Sequence, residues 1–184
     1  MKKIAVLFLM VAVAFLVPGT ALAEVLTHEE GKVEITVPDT WKKTPEGNVL
    51  TITSPDEAVA VVFMILDQTD TAKAFESIDK ELEKTIGDIT WKNDGKQVEE
   101  EINGMRTEEW NGSAKDGKMF VDVLSIDTPS EKNLGIYWFT TAEAEKKYEA
   151  EITSIVKGLK PMAAAPAAAP AAAPDAAPAD SDEE

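Results

Sequence analysis

Cysteine is missing from this sequence, histidine occurs once, and basic residues are scarce. The 184 residues include 34 acidic and 18 basic side chains, which gives a formal net charge of −16. The lack of cysteine excludes a disulfide framework, a thiolate zinc site, an iron–sulfur cluster, a thiol nucleophile and a lipid-bearing cysteine. A single histidine excludes any site that needs two imidazoles. Because the acidic excess repels polyanions, neither nucleic acid nor an anionic membrane surface is an expected partner.

The first 23 residues have the features of a secretory signal peptide. Lys2 and Lys3 precede 14 consecutive apolar residues, 4–17. As a helix this run spans about 21 Å, which falls short of the roughly 30 Å hydrocarbon core of a bilayer. A Pro-Gly pair then ends the run, and a small–x–small motif follows that ends at Ala23. We predict cleavage between Ala23 and Glu24 and export to the periplasm or the extracellular space, with no stable membrane insertion afterwards. An uncleaved N-terminal anchor is the alternative.

Residues 163–184 form a tail of alanine and proline that ends in acidic residues. Prolines at four-residue spacing block a helix, and nothing larger than alanine is available to bury, so the entropy cost of ordering is not offset. We predict a disordered, partly extended tail with five acidic side chains and no basic one. Its composition favours a solubilising role, and the alternative is a spacer that contacts a basic or cell-wall partner.

Residues 24–162 remain, a stretch of 139 residues without a break rich in proline, glycine or serine. This length suits one domain that buries about two-thirds of its unfolded surface. Its 16 basic and 29 acidic side chains give a net charge of −13, so most of the acidity belongs to the domain itself. Two runs in it, 58–66 and 134–139, are apolar without alternation, which predicts central strands covered on both faces.

Two helices are predicted over 73–87 and 142–159, because apolar residues recur there at steps of three and four. Asp70 or Thr71 suits the N-cap of the first helix. The pair Asn103-Gly104 is a strong hairpin signal between two strand patterns. The elements therefore follow the order three strands, helix, four strands, helix. The predicted fold class is α+β, an α/β/α sandwich around one mainly antiparallel sheet of about six to seven strands with two long helices.

Four segments carry a family resemblance: GKVEITVPDTW at 31–41, TITSP at 51–55, the strand that ends at 65–67 with the helix after it, and the helix that ends IVKGLKP at 155–161. Together with the order of elements, they resemble the PsbP-like superfamily, which includes DcrB-type bacterial periplasmic proteins. The resemblance covers about residues 25–161 and contains no catalytic motif. It implies a non-enzymatic extracytoplasmic accessory or assembly factor.

An acidic hairpin surrounds the predicted Asn103-Gly104 turn. If the turn sets the register, Glu99 and Glu101 come close to Glu108 and Arg106 on the opposite strand, and like charges placed opposite each other destabilise the pair. The pattern favours a solvated edge hairpin whose charges prevent edge-to-edge aggregation, because it contains no Asp-x-Asp-x-Asp-Gly loop. A calcium ion held by Glu99, Glu101 and Glu108 is the alternative. No other metal and no cofactor is predicted.

The histidine and the tryptophans are the remaining candidates for a site. His28 lies close to the predicted mature terminus, which favours a solvated surface histidine. The tryptophans, at 41, 91, 110 and 138, either pack in the core or line a ligand groove, and core packing is favoured. Trp110 lies on a predicted strand among acidic and polar residues, so an exposed Trp110 would indicate a protein-binding patch.

These observations favour an exported, monomeric, non-catalytic accessory domain that uses no cofactor. It would bind a protein or another component of the cell envelope through a sheet edge or a groove between elements. One alternative is a carboxylate- or metal-dependent enzyme, which needs acidic groups that converge in a pocket with raised pKa values. The other is a carrier that holds a small ligand in a tryptophan-lined groove.

The cleavage site gives the first testable prediction. N-terminal sequencing of the protein recovered from the exported fraction should begin at Glu24. Replacing Ala23 with a bulky charged residue should block processing, because signal peptidase accepts only small residues there. Recovery of an exported chain that still begins at Met1 would contradict the prediction.

Overall fold

The computed structural model of the chain describes residues 23–67 and 70–163. The predicted signal peptide lies outside these ranges except for Ala23, and so does the predicted tail after Ala163. Within the described ranges the chain forms two helices and eleven strands. The helices are α1, Thr71–Ile86, and α2, Ala142–Lys157; the strands are β1 Ala23–His28, β2 Val33–Pro38, β3 Lys42–Glu46, β4 Val49–Thr53, β5 Ala60–Leu66, β6 Ile89–Trp91, β7 Val98–Ile102, β8 Met105–Ala114, β9 Met119–Asp127, β10 Asn133–Thr141 and β11 Lys160–Pro161.

The strands form two antiparallel sheets. The larger has eight strands in the order β3-β4-β5-β10-β9-β8-β6, with β7 paired to β8 beside β6. The smaller has three strands in the order β1-β2-β11. The predicted α+β class with a mainly antiparallel sheet is confirmed. The expectation of one sheet with six to seven strands is wrong, because β1, β3, β6 and β11 are short or polar edge strands with weak alternation, and β2 pairs with β1 and β11 instead of joining the large sheet.

Strands β5 and β10 pair with each other at the centre of the large sheet, as their apolar runs predict. One face of the sheet packs against α1, which contributes the stripe of Ile78, Leu82 and Ile86. The other face packs against α2 and against the small sheet, whose strand β2 contributes Val33, Ile35 and Val37. Each fully buried aliphatic side chain contributes about 1.5–3 kcal/mol, so the two covered faces account for most of the stability that packing provides.

Capping residues explain where the helices begin, and a glycine follows the end of α1. The Asp70 carboxylate accepts hydrogen bonds from the N–H groups of Ala72 at 3.0 Å and Lys73 at 3.3 Å, and α1 ends before Gly87, whose φ is +87°. The Thr141 hydroxyl accepts the N–H of Ala144 at 3.3 Å at the start of α2. The predicted cap at Asp70 is therefore present. Neither helix in the described part of the chain is long and apolar enough to cross a membrane.

The β7–β8 hairpin turns at Asn103-Gly104, whose φ angles are +50° and +84°. Two successive positive φ angles are the requirement of a type I′ turn, and Ile102 pairs with Met105 across it. The Asn103 side-chain amide also donates to the carbonyl oxygens of Lys157 at 2.8 Å and Leu159 at 2.7 Å. One residue thus shapes the hairpin and caps the free carbonyls at the end of α2.

We predict that Asn103→Gly lowers the free energy of unfolding by about 1–2 kcal/mol, because glycine keeps the positive φ but loses both hydrogen bonds. Asp116→Gly is the matched control, because Asp116 also has a positive φ, of 56°, and is exposed in the β8–β9 turn. Urea denaturation monitored by tryptophan fluorescence compares the two. Equal stability of Asn103→Gly and the wild type would contradict the capping role.

Candidate binding groove

A groove lies between the two sheets. It encloses about 360 Å³, within the usual range of ligand sites, and its exposed lining is mostly apolar. Strand β1 of the small sheet forms one wall, and β3 and β4 of the large sheet form the other. The residues that define it are Leu26 and His28 from β1, Lys43 and Pro45 from β3, and Val49 and Leu50 from β4.

Two strand edges border this groove. Strand β1 pairs only with β2, and β3 pairs only with β4, among the residues that the structure describes. Pro45 removes one backbone donor from β3, as is common on edge strands, whereas residues 23–28 of β1 contain no proline. An ion pair between Lys43 Nζ and Glu24 Oε2, at 3.1 Å, joins the two walls. The groove therefore offers apolar surface beside backbone groups that are free to pair.

His28 is held at the rim of the groove. Its Nδ1 accepts the N–H of Gly31 at 3.3 Å, which leaves Nε2 to donate to the carbonyl of Asn48 at 3.4 Å. The side chain is half-buried on a paired strand. The expectation of a solvated histidine near a mobile terminus is therefore wrong, because β1 pairs with β2 along its whole length and His28 lies opposite Val33.

A three-residue ion network fastens the loop beside the groove. Lys132 Nζ lies 2.5 Å from Glu30 Oε1 and 3.0 Å from Asp67 Oδ1, so the β1–β2 loop, the end of β5 and the β9–β10 loop meet at one ammonium group. The hydrogen bond to Glu30, followed by that to Asp67, raises the pKa of Lys132. The network keeps Glu30 in the groove wall.

The acidic hairpin has the register that the sequence predicts, with Glu99 opposite Glu108 and Glu101 opposite Arg106. Arg106 relieves the repulsion: its Nη2 lies 3.0 Å from Glu99, its guanidinium also contacts Glu108, and its Nη1 lies 3.7 Å from Asp127. The hydrogen bond to Glu99 and the charge of Glu108 raise the pKa of Arg106. Arg106 thus places a positive charge between Glu99 and Glu108, and the calcium ion at Glu99, Glu101 and Glu108 stays a prediction. No metal-binding group of three or more His, Asp or Glu side chains occurs in the described ranges.

Trp110 is buried, with 5 % of its surface exposed, and stacks on Phe75 of α1 at 4.4 Å between ring centroids. The condition for a protein-binding patch at Trp110, an exposed indole, is therefore not met, because α1 covers this part of β8; Trp110 packs in the core, as the sequence favoured. Trp41 and Trp138 pack on the α2 face of the sheet, whereas Trp91 and Trp110 pack on the α1 face. Since the sheet separates the two pairs, the four tryptophans do not line one groove.

No protein-family model and no curated protein sequence matches this chain. Solved structures do match it. Cyanobacterial PsbP (CyanoP) from Synechocystis sp. PCC 6803 aligns with a TM-score of 0.53 at 11 % identity, over 77 % of this chain and 94 % of its own. LpqN of Mycobacterium tuberculosis, described as involved in cell envelope biogenesis, aligns with a TM-score of 0.53 at 19 % identity, over 76 % and 90 %. The domain has the PsbP-like fold. At these identities the likeness concerns the fold alone.

The residues of the groove could not be identified from the sequence. Strand β1 is exposed on most of its length, and β3 reads Lys-Lys-Thr-Pro-Glu, so neither carries an apolar alternation. The available signal was indirect: Pro45 is flanked by polar residues just before β4, and a proline in such a segment is typical of an edge strand. The meeting of β1 with β3 depends on the packing of two sheets, which no local pattern encodes.

Arg106 generates a second stability prediction. Arg106→Gln should lower the free energy of unfolding, because it leaves the buried Glu108 carboxylate without its partner. Glu108→Gln added to Arg106→Gln should recover most of the loss. Thermal unfolding measures both effects. Calcium chloride at 5 mM, roughly five times the dissociation constant of the weakest extracellular calcium sites, should leave the wild-type midpoint unchanged. A rise with calcium that Glu108→Gln abolishes would support the calcium alternative and contradict this prediction.

Proposed function

We propose that this protein is an exported, non-catalytic binding module whose groove between β1 and β3–β4 receives an extended segment of a partner protein in the cell envelope. The observation that carries the proposal is the apolar groove of about 360 Å³ bordered by two unpaired strand edges. The predicted signal peptide supports the compartment. LpqN, a protein of the same fold, is described as involved in cell envelope biogenesis, which agrees with that setting.

The groove suits an added strand. A partner segment laid along β1 would receive main-chain hydrogen bonds from its free N–H and C=O groups, which give affinity irrespective of sequence. Every second side chain of that segment would then point into the groove against Leu26, Val49 and Leu50, which give specificity. Glu29 and Glu30 at one end would disfavour acidic residues in the segment.

The contacts of the polar side chains in the groove do not favour a catalytic role. Both ring nitrogens of His28 contact backbone groups, so this histidine has neither a hydroxyl nucleophile nor an orienting carboxylate among its hydrogen-bond partners. Lys43 is engaged with Glu24. A binding role therefore requires fewer additional assumptions than an enzymatic one.

Affinity capture from envelope extracts tests the proposal. The mature chain should retain one partner, and Thr27→Arg should lose it, because Thr27 is an exposed residue of the groove wall and arginine there fills the opening. Val98→Arg is the matched control, since Val98 is 47 % exposed on β7, away from the groove, and should retain the partner.

A second comparison separates the tail from the domain. A chain that ends at Met162 should capture the same partner as the full mature chain. Capture that survives Thr27→Arg, or that disappears with residues 163–184, would contradict binding in the groove.

A further inference from the structure

A second groove runs along the C-terminal half of α2, where that helix leaves part of the sheet uncovered. It encloses about 250 Å³. Its floor is apolar, with Leu124 and Trp138 from the sheet and Ile152 and Val156 from the helix. Glu100 and Glu109 stand at its rim, and Lys157 lies at the end where the groove approaches the β7–β8 turn. In the order of strands this site lies toward β8, at the other end of the sheet from β3 and β4.

Carboxylates extend from this rim across the same face of the sheet. The Asn111 side-chain amide lies 2.8 Å from Glu109 Oε1 and 2.8 Å from Asp122 Oδ1, so it bridges two acidic groups. Glu145 of α2 accepts the hydroxyl of Thr140 at 2.5 Å and adds a further negative charge. Burial, with the charges of Glu145 and Glu109, raises the pKa of Asp122 to about 6, and neither the Asn111 amide nor the charge of Lys92 offsets this. The acidic groups here are therefore incompletely neutralised by the protein itself.

The floor of the groove also lacks a hydrogen-bond partner. Trp138 is only 9 % exposed and lies opposite Asp122 in the β9–β10 register. Its indole N–H is buried without an acceptor among the described residues. The indoles of Trp41 and Trp91, in contrast, donate to Glu151 at 2.5 Å and to Asp79 at 3.1 Å. A buried donor without an acceptor costs free energy that an incoming acceptor restores.

We propose that this second groove binds a lysine- or arginine-bearing peptide segment of a partner protein. The cationic head lies between Glu109 and Glu100, and its aliphatic stem packs on Leu124, Ile152 and Val156. Asp122, linked to Glu109 through the Asn111 amide, adds negative charge from outside the groove lining. A backbone carbonyl of the segment accepts the indole N–H of Trp138, which is buried in the present conformation and is reached by rotation of the ring. The three features of the groove, negative rim, apolar floor and unsatisfied donor, match the three parts of such a segment.

Other occupants match fewer of these features. A metal ion would use the carboxylates but not the apolar floor, and no metal-binding group occurs in the described ranges. The protein's own tail, residues 163–184, has five acidic side chains and no basic one, so the rim repels it. A free polyamine would satisfy the charge but brings no carbonyl for Trp138.

Nuclear magnetic resonance of the ¹⁵N-labelled mature chain tests the proposal with three probes: the capped peptide Lys-Leu-Lys-Leu-Lys, its Glu-Leu counterpart, and spermine. The lysine peptide should move the Trp138 indole proton downfield and leave those of Trp41 and Trp91 in place. Spermine should shift rim resonances without this indole change, and the glutamate peptide should shift neither. Trp→Phe variants assign the four indole signals.

Charge variants give the affinity test. Glu100→Gln with Glu109→Gln should weaken binding of the lysine peptide at least tenfold. Glu76→Gln with Glu83→Gln, both exposed on α1, is the control of equal charge and should leave the affinity unchanged. Binding should also weaken as the pH falls below about 6, because Asp122 then becomes neutral, and Asp122→Asn should flatten this dependence. Retained amide dispersion shows that each variant is folded.

Several results would overturn the proposal: no shift at millimolar lysine peptide, equal binding of the glutamate peptide, or unchanged affinity in the Glu100→Gln/Glu109→Gln variant. Binding without movement of the Trp138 indole would reject the hydrogen-bonded peptide and leave charge attraction alone. Shifts that depend on protein concentration and not on peptide would show self-association instead. None of these results depends on Thr27 or the first groove, so the two proposals fail separately.

Discussion

The constraint on which this structure depends is a sheet whose two central strands are apolar on both faces. Strands β5 and β10 expose apolar side chains above and below the sheet, so each face requires a cover. On one face α1 provides it. On the other face α2 alone is too narrow for the eight-stranded sheet, and the small sheet β1-β2-β11 completes it. Both grooves lie at margins of this composite cover, one where β1 meets β3 and β4, the other where α2 ends over β8 and β9.

In the described part of the chain, some acidic side chains are paired with lysine or arginine, whereas those around Asp122 are not. Arg106 and Lys132 each neutralise carboxylates from separate strands or loops, and Lys147 pairs with Asp56 at 2.6 Å. The hydrogen bond with Asp56 raises the pKa of Lys147 to about 12 and lowers the pKa of the carboxyl well below its usual range. These pairs fasten loops to the core of the domain. Around Asp122, burial and then the like charges of Glu145 and Glu109 raise the pKa of the carboxyl instead. A surface that tolerates such a cluster has kept negative potential at the cost of some stability.

Local patterns predicted the parts of this fold whose chemistry is local. The stripe of Ile78, Leu82 and Ile86, the cap at Asp70 and the turn at Asn103 each follow from spacing or from a single residue type. The same is true of the central position of β5 and β10. The edge strands β1 and β3 were not predicted, because their pairing is decided by strands elsewhere in the chain. The packing partner of Trp110 was not predictable for a similar reason: Phe75, the ring that covers it, lies on a helix 35 residues earlier in the sequence. The candidate groove needs two sheets to meet, so its residues were not predictable as a set.

The position of β1 links processing to the candidate groove. The strand begins at Ala23, and the predicted cleavage would leave Glu24 as the first residue of the mature chain. Cleavage there removes only the pairing of Ala23 with Pro38 and keeps the remaining five pairs of the β1–β2 ladder. It also keeps Glu24, whose carboxylate joins the groove walls through Lys43, and places a new ammonium group beside that pair. In the precursor, by contrast, an apolar segment leads directly into the strand that forms the groove wall. If cleavage occurs as predicted, it therefore removes this apolar segment and leaves the β1–β2 ladder and the Glu24–Lys43 pair of the candidate groove in place.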